Sequence, residues 1–246
     1  MNIITSKANN VVKKTKKLHH KKYRKDSYLI EGWHLFEEAV SSGAELIRIF
    51  ALAEYAERLA DFSQVIFVSP EILADLADSK TPQGIVAEVA FEREEIPAEL
   101  SGRYLFLEDV QDPGNVGTII RTADAAGFDG VFISSLSADI YNLKTLRSMQ
   151  GSHFHLPVYR IDTADFIRLA RSSSLPILAS TLSSTSIDYR EVDSKESFAL
   201  VMGNEGQGIS SEMTAAADLL VHISMKGQAE SLNVAVAAGI LIFHLS

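Results

Sequence analysis

The chain contains no cysteine among its 246 residues, so it has neither a disulfide framework nor a thiolate metal site. Histidine is scarce: of the seven, only His19 and His20 are adjacent, and no HExxH occurs, so a metal enzyme is not expected. No apolar run reaches the roughly 18 residues that cross a bilayer. The longest candidate, 232–245, is interrupted by Asn233, Gly239 and His244. The first residues lack an apolar core after their lysines, unlike a signal peptide, and are Lys-rich where a transit peptide is rich in Arg and Ser. A cytoplasmic location without membrane or metal partners is therefore expected. No GK[ST] and no GxGxxG occurs, which disfavours nucleotide triphosphatases and Rossmann dehydrogenases.

Acidic residues are absent from the first 25 positions, although the chain holds 32 of them against 23 Lys and Arg. That stretch carries nine bases, leaving 14 for the rest, so a +9 arm precedes a −18 body. A basic segment of this density points to a polyanion, because each Lys or Arg on a phosphate releases condensed counterions. Lys13, Lys14, Lys16, Lys17, Lys21, Lys22 and Arg24 are the candidate phosphate contacts. A solvated helix face is the plainer alternative, but no Glu stands at i+4 to balance the lysines.

Hydrophobic residues at 46% and charged residues at 22% fit a globular chain. The first half alternates elements: helix 7–22, strand 28–31, helix 33–42, strand 46–52, helix 55–60, strand 65–68, a helix opened by Ser69-Pro70, and strand 85–91. The charged, aperiodic stretch EREEIPAELSG at 92–102 reads as a linker between domains 1–95 and 101–246. The second half places strands at 104–107, 131–134, 157–161, 175–181, 198–202 and 219–223, and helices at 115–126 and 231–245. Near-continuous apolar strands alternating with helices predict an α/β fold around a mostly parallel sheet covered on both faces.

In such sheets ligands bind beyond the carboxyl ends of the strands, and three loops there are unusual. In EDVQDPGNVGTIIRTADAAGF, Asp112, Pro113 and Gly114 form a turn, and Asn115 opens a helix whose free N–H groups suit an anion or a polar ligand. Arg121 lies on that helix beside Thr118 and Ala125. In LVMGNEGQGIS, Gly203, Gly206 and Gly208 surround Asn204 and Glu205 directly after a strand, a backbone shaped for close ligand approach. In ISMKGQAESLNVAVAAGILIFHLS, Ser231 and Asn233 stand at the start of a helix that is apolar nearly all round. That helix is destined for a core or an oligomer interface. Taken singly, an exposed Arg and an N-cap serine are the plainer readings of Arg121 and Ser231, and a tight turn explains the glycines equally well.

In order and content, NVGTIIRTADAAG, LVMGNEGQGIS and ISMKGQAESLNVAVAAGI resemble the three motifs of the SpoU (TrmH-like) branch of the SPOUT methyltransferases. RSMQGSHFHLPV resembles the family's middle segment. KKYRKDSYLIEGWHLFEEAV is similar to its small substrate-recognition domain, itself like an RNA-binding ribosomal protein. The resemblance implies a C-terminal α/β-knot, that is, a deep trefoil knot in a mostly parallel sheet, preceded by a smaller N-terminal α/β RNA-recognition domain. It implies a homodimer with active sites at the subunit interface. It further implies methyl transfer from S-adenosylmethionine to a ribose 2′-hydroxyl of ribosomal or transfer RNA. A non-catalytic RNA-binding protein and a base-directed SPOUT methyltransferase are the alternatives.

Residue by residue, the resemblance assigns Asn115, Arg121, Glu205, Ser231 and Asn233 to the catalytic site. It rests the cofactor on Thr181, Leu182, Ser183, Met202, Gly203, Asn204, Gly206, Ile223, Met225 and Leu232. A guanidinium keeps its proton in proteins. Arg121 is therefore expected to stabilise the developing alkoxide or to fix the neighbouring phosphate, oriented by Glu205, Ser231 and Asn233. The proton acceptor stays open between substrate phosphate and water.

Overall fold

The computed structural model describes residues 2–92 and 95–246. The chain forms two compact units, Met1–Arg93 with Asp139–Phe154, and Glu94–Ala138 with His155–Ser246. Arg93 and Glu94, inside the expected linker, lie outside the described residues. Among the described residues no helix is long and apolar enough to cross a membrane, and no group of side chains could hold a metal ion.

The first unit is built on a five-stranded sheet of β1 (Ile3–Ile4), β2 (Ser27–Glu31), β3 (Leu46–Ala51), β4 (Val65–Val68) and β5 (Ile85–Ala90), in the order β1-β4-β3-β5-β2. The pairs β1·β4 and β3·β4 are parallel, whereas β5 runs antiparallel to β3 and β2. α1 (Asn10–Lys16), α2 (Trp33–Ser41) and α3 (Pro70–Leu76) carry the apolar faces: Val12 from α1, Leu35 and Phe36 from α2, and Ile72, Leu73 and Leu76 from α3 are all buried. The expected helix 7–22 is shorter than its periodicity suggested. α1 ends at Lys16 and two 3₁₀ turns, Lys17–His19 and Lys21–Tyr23, follow. Like charges one turn apart oppose a continuing helix, as at Lys13/Lys17 and Lys17/Lys21, and the His19 ring bonds instead to the Leu76 carbonyl at 2.9 Å. The expected helix 55–60 is a 3₁₀ turn, Ala53–Tyr55, followed by turns.

α5 (Leu143–Met149) belongs to this first unit, although it lies late in the sequence. Its Arg147 reaches the buried Glu31 at 3.5 Å and Asp78 at 2.7 Å. Glu31 also accepts the Asp78 and Ser79 amides at 2.9 and 3.2 Å, so its buried charge is satisfied.

The second unit contains a seven-stranded, wholly parallel sheet in the order β10-β12-β9-β11-β6-β7-β8. Its strands are β6 (Arg103–Leu107), β7 (Gly130–Ile133), β8 (Val158–Arg160), β9 (Ile177–Ser180), β10 (Ile187–Asp188), β11 (Phe198–Met202) and β12 (Leu219–His222). β7 and β11 are buried along their whole length, which accounts for their unbroken apolar composition. On one face Phe106 stacks on Phe166 at 4.3 Å and Phe132 on Tyr159 at 5.0 Å. The helices are α4 (Pro113–Ala125), α6 (Thr163–Ser172), α7 (Ser211–Ala216) and α8 (Val234–Leu245), with α8 packed along α4. β10 is too short to leave a periodic signal in the sequence.

Candidate active site

β11 runs into a loop that closes on itself: the Asn204 and Gly208 backbones exchange two hydrogen bonds, each 2.9 Å. Gly208 takes φ +69°, and a Cβ on Gly203 would lie 2.3 Å from the Gly208 carbonyl carbon. The glycines are thus required by the turn itself. Inside it, the Asn204 Oδ1 accepts the Gly206 and Gln207 amides at 2.9 and 3.0 Å. The Asn204 Nδ2 donates to the Asp109 carbonyl at 2.8 Å, tying this loop to the end of β6.

The loop presents Glu205 to the start of α4. Its carboxylate accepts the Asp112 amide at 2.9 Å, the Gln111 amide at 3.1 Å and the Asn115 Nδ2 at 3.0 Å. Partial burial works to raise the carboxyl's pKa, but the bonds from Asn115, Asp112 and Gln111 outweigh it and hold the group below its ordinary value. Asn115 in turn accepts from the Asn233 Nδ2 at 3.0 Å. Asn233 spends its oxygen capping α8 through the Ala235 and Val236 amides at 2.9 and 3.3 Å. Each amide's orientation is fixed by its neighbour, so Glu205, Asn115 and Asn233 form one directed chain across three loops.

Two expectations change here. The N–H groups at the start of α4 are not open to an anion, because α4 begins at Pro113 and the Asp112 Oδ1 accepts from Gly114 and Asn115 at 2.7 and 3.1 Å. Ser231 is not a helix cap, since Asn233 holds that place. Ser231 is exposed on the wall of the adjoining cavity.

That cavity, about 580 Å³, opens beyond the ends of β9, β11 and β12. Eight of the ten expected cofactor residues line it: Thr181, Leu182, Met202, Gly203, Asn204, Ile223, Met225 and Leu232. Ser183 and Gly206 do not; the Ser183 amide bonds to the Ser186 Oγ and the Gly206 amide to Asn204. Glu205 and Ser231 also line it, so the cavity meets the polar chain directly.

Arg121 stands apart. It is exposed, and among the described residues its guanidinium has no hydrogen-bond or ion-pair partner. At about 100° per residue, the six residues from Asn115 carry it about 240° round α4. Within one chain, Glu205, Ser231 and Asn233 do not orient it.

Several supporting residues escaped the sequence reading. Glu108, buried at the end of β6, accepts the Ser210 amide at 2.8 Å, the Ser210 hydroxyl at 2.7 Å and the Thr163 hydroxyl at 3.0 Å. Asp109 adopts φ +59° and is held by Ser134, through its amide at 2.8 Å and its carboxylate at 2.6 Å. The only signal was a pair of acids directly after an apolar strand.

In the first unit, Lys13, Lys14, Lys17, Lys21 and Lys22 are exposed. Arg24 is a correction: its side chain is only 4% exposed and ion-paired with Asp139, which removes it from the phosphate-binding set. Lys16 is partly engaged, at 2.5 Å from Asp75.

Residues 102–243 match the SpoU rRNA Methylase family, and residues 9–87 match the MRM3-like substrate binding domain. The chain belongs to the SpoU rRNA methylase family. Among relatives, it is 41% identical to the 23S rRNA (guanosine(2553)-2'-O)-methyltransferase RlmP of Bacillus subtilis, over 100% of this chain and 99% of the relative. A crystal structure of an AdoMet-bound rRNA methyltransferase from Sinorhizobium meliloti superposes with TM-score 0.90 at 33% identity, covering 99% of this chain and 97% of that one. The SpoU methyltransferase AviRb of Streptomyces viridochromogenes, in complex with AdoMet, gives 0.84 at 27% identity over 96% and 97%. The SpoU family match spans both the Glu205–Asn115–Asn233 chain and the cavity beside it.

Proposed function

We propose that this SpoU-family chain methylates a ribose 2′-hydroxyl of RNA, using S-adenosylmethionine bound in the cavity beyond β9, β11 and β12. The observation that carries the reading is that this cavity and the Glu205–Asn115–Asn233 chain share a wall at Glu205. The cavity suits the cofactor: its size is in the range of small-molecule sites. Leu182 and Leu232 line it while 78% and 38% exposed, apolar surface that a purine ring would cover. S-adenosylmethionine, when bound, supplies a methyl group on a sulfonium sulfur and needs no metal. The chain's own part is to position the ribose and to favour loss of the hydroxyl proton. Glu205, ionised and anchored, fixes Asn115, and Asn115 with Asn233 and Ser231 supplies donors and acceptors to orient the acceptor nucleotide.

A homodimer completes the site in this proposal. The outer face of α8 leaves Val236 and Phe243 at 53% and 60% exposure, with Ile240 half-buried between them. Arg121 projects from the neighbouring helix. Pairing that face between two subunits would cover the apolar stripe and carry each unpartnered Arg121 toward the other subunit's cavity, where a guanidinium stabilises alkoxide or phosphate. The trefoil knot belongs to the same proposal. β12 lies between β9 and β10, so the 181–186 segment joining those two strands must pass the last strand, and α8 then returns onto α4. Pulling on both termini of a single molecule should yield an extended length short of the full chain; full extension would rule the knot out.

We place the reaction in the cytoplasm, with residues 1–95 recognising RNA and 101–246 carrying the chemistry. The Bacillus subtilis relative's name makes 23S rRNA the first substrate to try. Incubating the full-length chain with methyl-labelled S-adenosylmethionine and 23S rRNA, then mapping the label, tests the proposal. Label on a ribose 2′-oxygen supports it, label on a base favours the base-directed alternative, and RNA binding without cofactor binding favours a non-catalytic role.

A further inference from the structure

The most exposed Phe, Tyr or Trp of the first unit stands on the basic segment. Tyr23 is 43% exposed on the second 3₁₀ turn, and among the described residues its hydroxyl has no hydrogen-bond partner. The backbone beneath it is firmly set. The Tyr23 amide bonds to the His20 carbonyl at 3.0 Å and the Arg24 amide to Lys21 at 3.1 Å. The next side chain, Arg24, is buried against Asp139. The ring is therefore presented rather than merely left over.

Its surroundings are cationic. Lys22 and Lys17 bring their ammonium groups to 5.0 and 5.5 Å from the ring centroid, and the His20 ring meets it edge-on at 6.4 Å. Neither lysine has a carboxylate partner among the described residues, and the same holds for Lys13, Lys14, Lys21 and Lys25. Cations hover at the π-face for want of an anion, a weak and water-exposed attraction. A nucleobase offers the ring a better partner, and the lysines it displaces find phosphates on either side. Only an unpaired base exposes the face this requires; bases inside a duplex are stacked away.

We infer that Tyr23 is a stacking platform for an unpaired nucleobase of the RNA, with Lys17 and Lys22 holding the adjoining phosphates. The inference rests on RNA being the substrate. It adds that the first unit reads a single-stranded element, such as a loop or a splayed nucleotide, rather than a continuous helix.

The test uses the full-length chain and two probes: a single-stranded RNA of about 12 nucleotides, within the site sizes known for such surfaces, and the blunt duplex it forms with its complement. Fluorescence anisotropy follows binding across a salt series. Tyr23→Ala should weaken the single strand about tenfold, equivalent to about 1.4 kcal/mol, and leave the duplex and the salt slope unchanged. Tyr23→Phe, which keeps the ring, should bind like the wild type. Replacing Lys17 and Lys22 together by Ala should flatten the single-strand slope by about 1.4. Thermal melts and S-adenosylmethionine affinity, expected unchanged, show that each variant is folded. Equal loss on both probes, no loss on the single strand, or a Phe variant as weak as Ala overturns the platform alone. A wild-type chain that binds neither probe overturns the RNA reading with it.

Discussion

Gly203→Ala tests whether the loop's closure, rather than its composition, makes the site. The added Cβ would fall 2.3, 2.4 and 2.5 Å from the Gly208 carbon, the Gly208 oxygen and the Ile209 nitrogen, all backbone atoms that no rotamer change can move. Ordinary contact begins near 3.4 Å, so the two arms must part by about 1 Å. The paired Asn204–Gly208 bonds of 2.9 Å would then stretch beyond hydrogen-bonding range. Losing two backbone bonds at a half-exposed site costs about 1–3 kcal/mol. Glu205, two residues along, would lose its register with Gln111, Asp112 and Asn115. The expected result is S-adenosylmethionine affinity lowered about tenfold or more by calorimetry, with methyl transfer falling further because Asn115 loses its anchor. Global melting should drop by only a few degrees. Wild-type affinity and rate in Gly203→Ala would mean that the loop opens freely and its closed form is not what binds the cofactor.

Arg121→Ala should lower the single-turnover rate about 100-fold at saturating RNA, the scale of one lost transition-state electrostatic contact; a wild-type rate there would make Arg121 a phosphate anchor. Charged substitutions at Val236 and Ile240 should give monomers in sedimentation, with activity lost alongside the dimer. Arg24→Ala removes the cation beside Asp139, whose carboxylate keeps the Tyr141 amide at 3.1 Å, and should cost about 2 kcal/mol in urea unfolding, whereas the exposed Lys25→Ala should stay within about 0.5 kcal/mol of wild type. Glu205 carries a carboxyl held below its ordinary 4.5, so its anchoring contribution is present above that value and lost as pH falls through the lower folded one. Cofactor affinity should therefore stay level from about pH 8 to about pH 5 and decline only in stronger acid.

Much of the second unit could be read from its strands because burial on both faces leaves unbroken apolar runs. The expected strand 198–202 is the one observed, and Ser69-Pro70 marks the start of α3. The lysine arm misled on two counts. Helical periodicity could not reveal that like charges would end α1 at Lys16 and leave 3₁₀ turns after it, nor that Arg24 would find Asp139, 115 positions away. The sequence motifs brought Asn115, Glu205 and Asn233 to one place but did not tell donor from acceptor among them. That order depends on Asp112 and Asn233 capping α4 and α8, a fact of backbone geometry. Arg121 looked like part of the same cluster by proximity in sequence, yet the turn of α4 sets it on another side.

The membership of Asp139–Phe154 in the first unit bears on how the chain emerges from the ribosome. Arg24 waits for Asp139, Glu31 for Arg147, and the Tyr28 hydroxyl for the His153 ring at 2.9 Å. All three partners are synthesised after the start of the second unit's sheet, so the first unit cannot complete its buried polar pairs while it is the only part made. A gene fragment cut at the apparent boundary near residue 95 would encode a sheet with Arg24 and Glu31 short of their partners. The two units are thus interleaved along the chain and in the order of synthesis, and neither can be lifted out by a single cut.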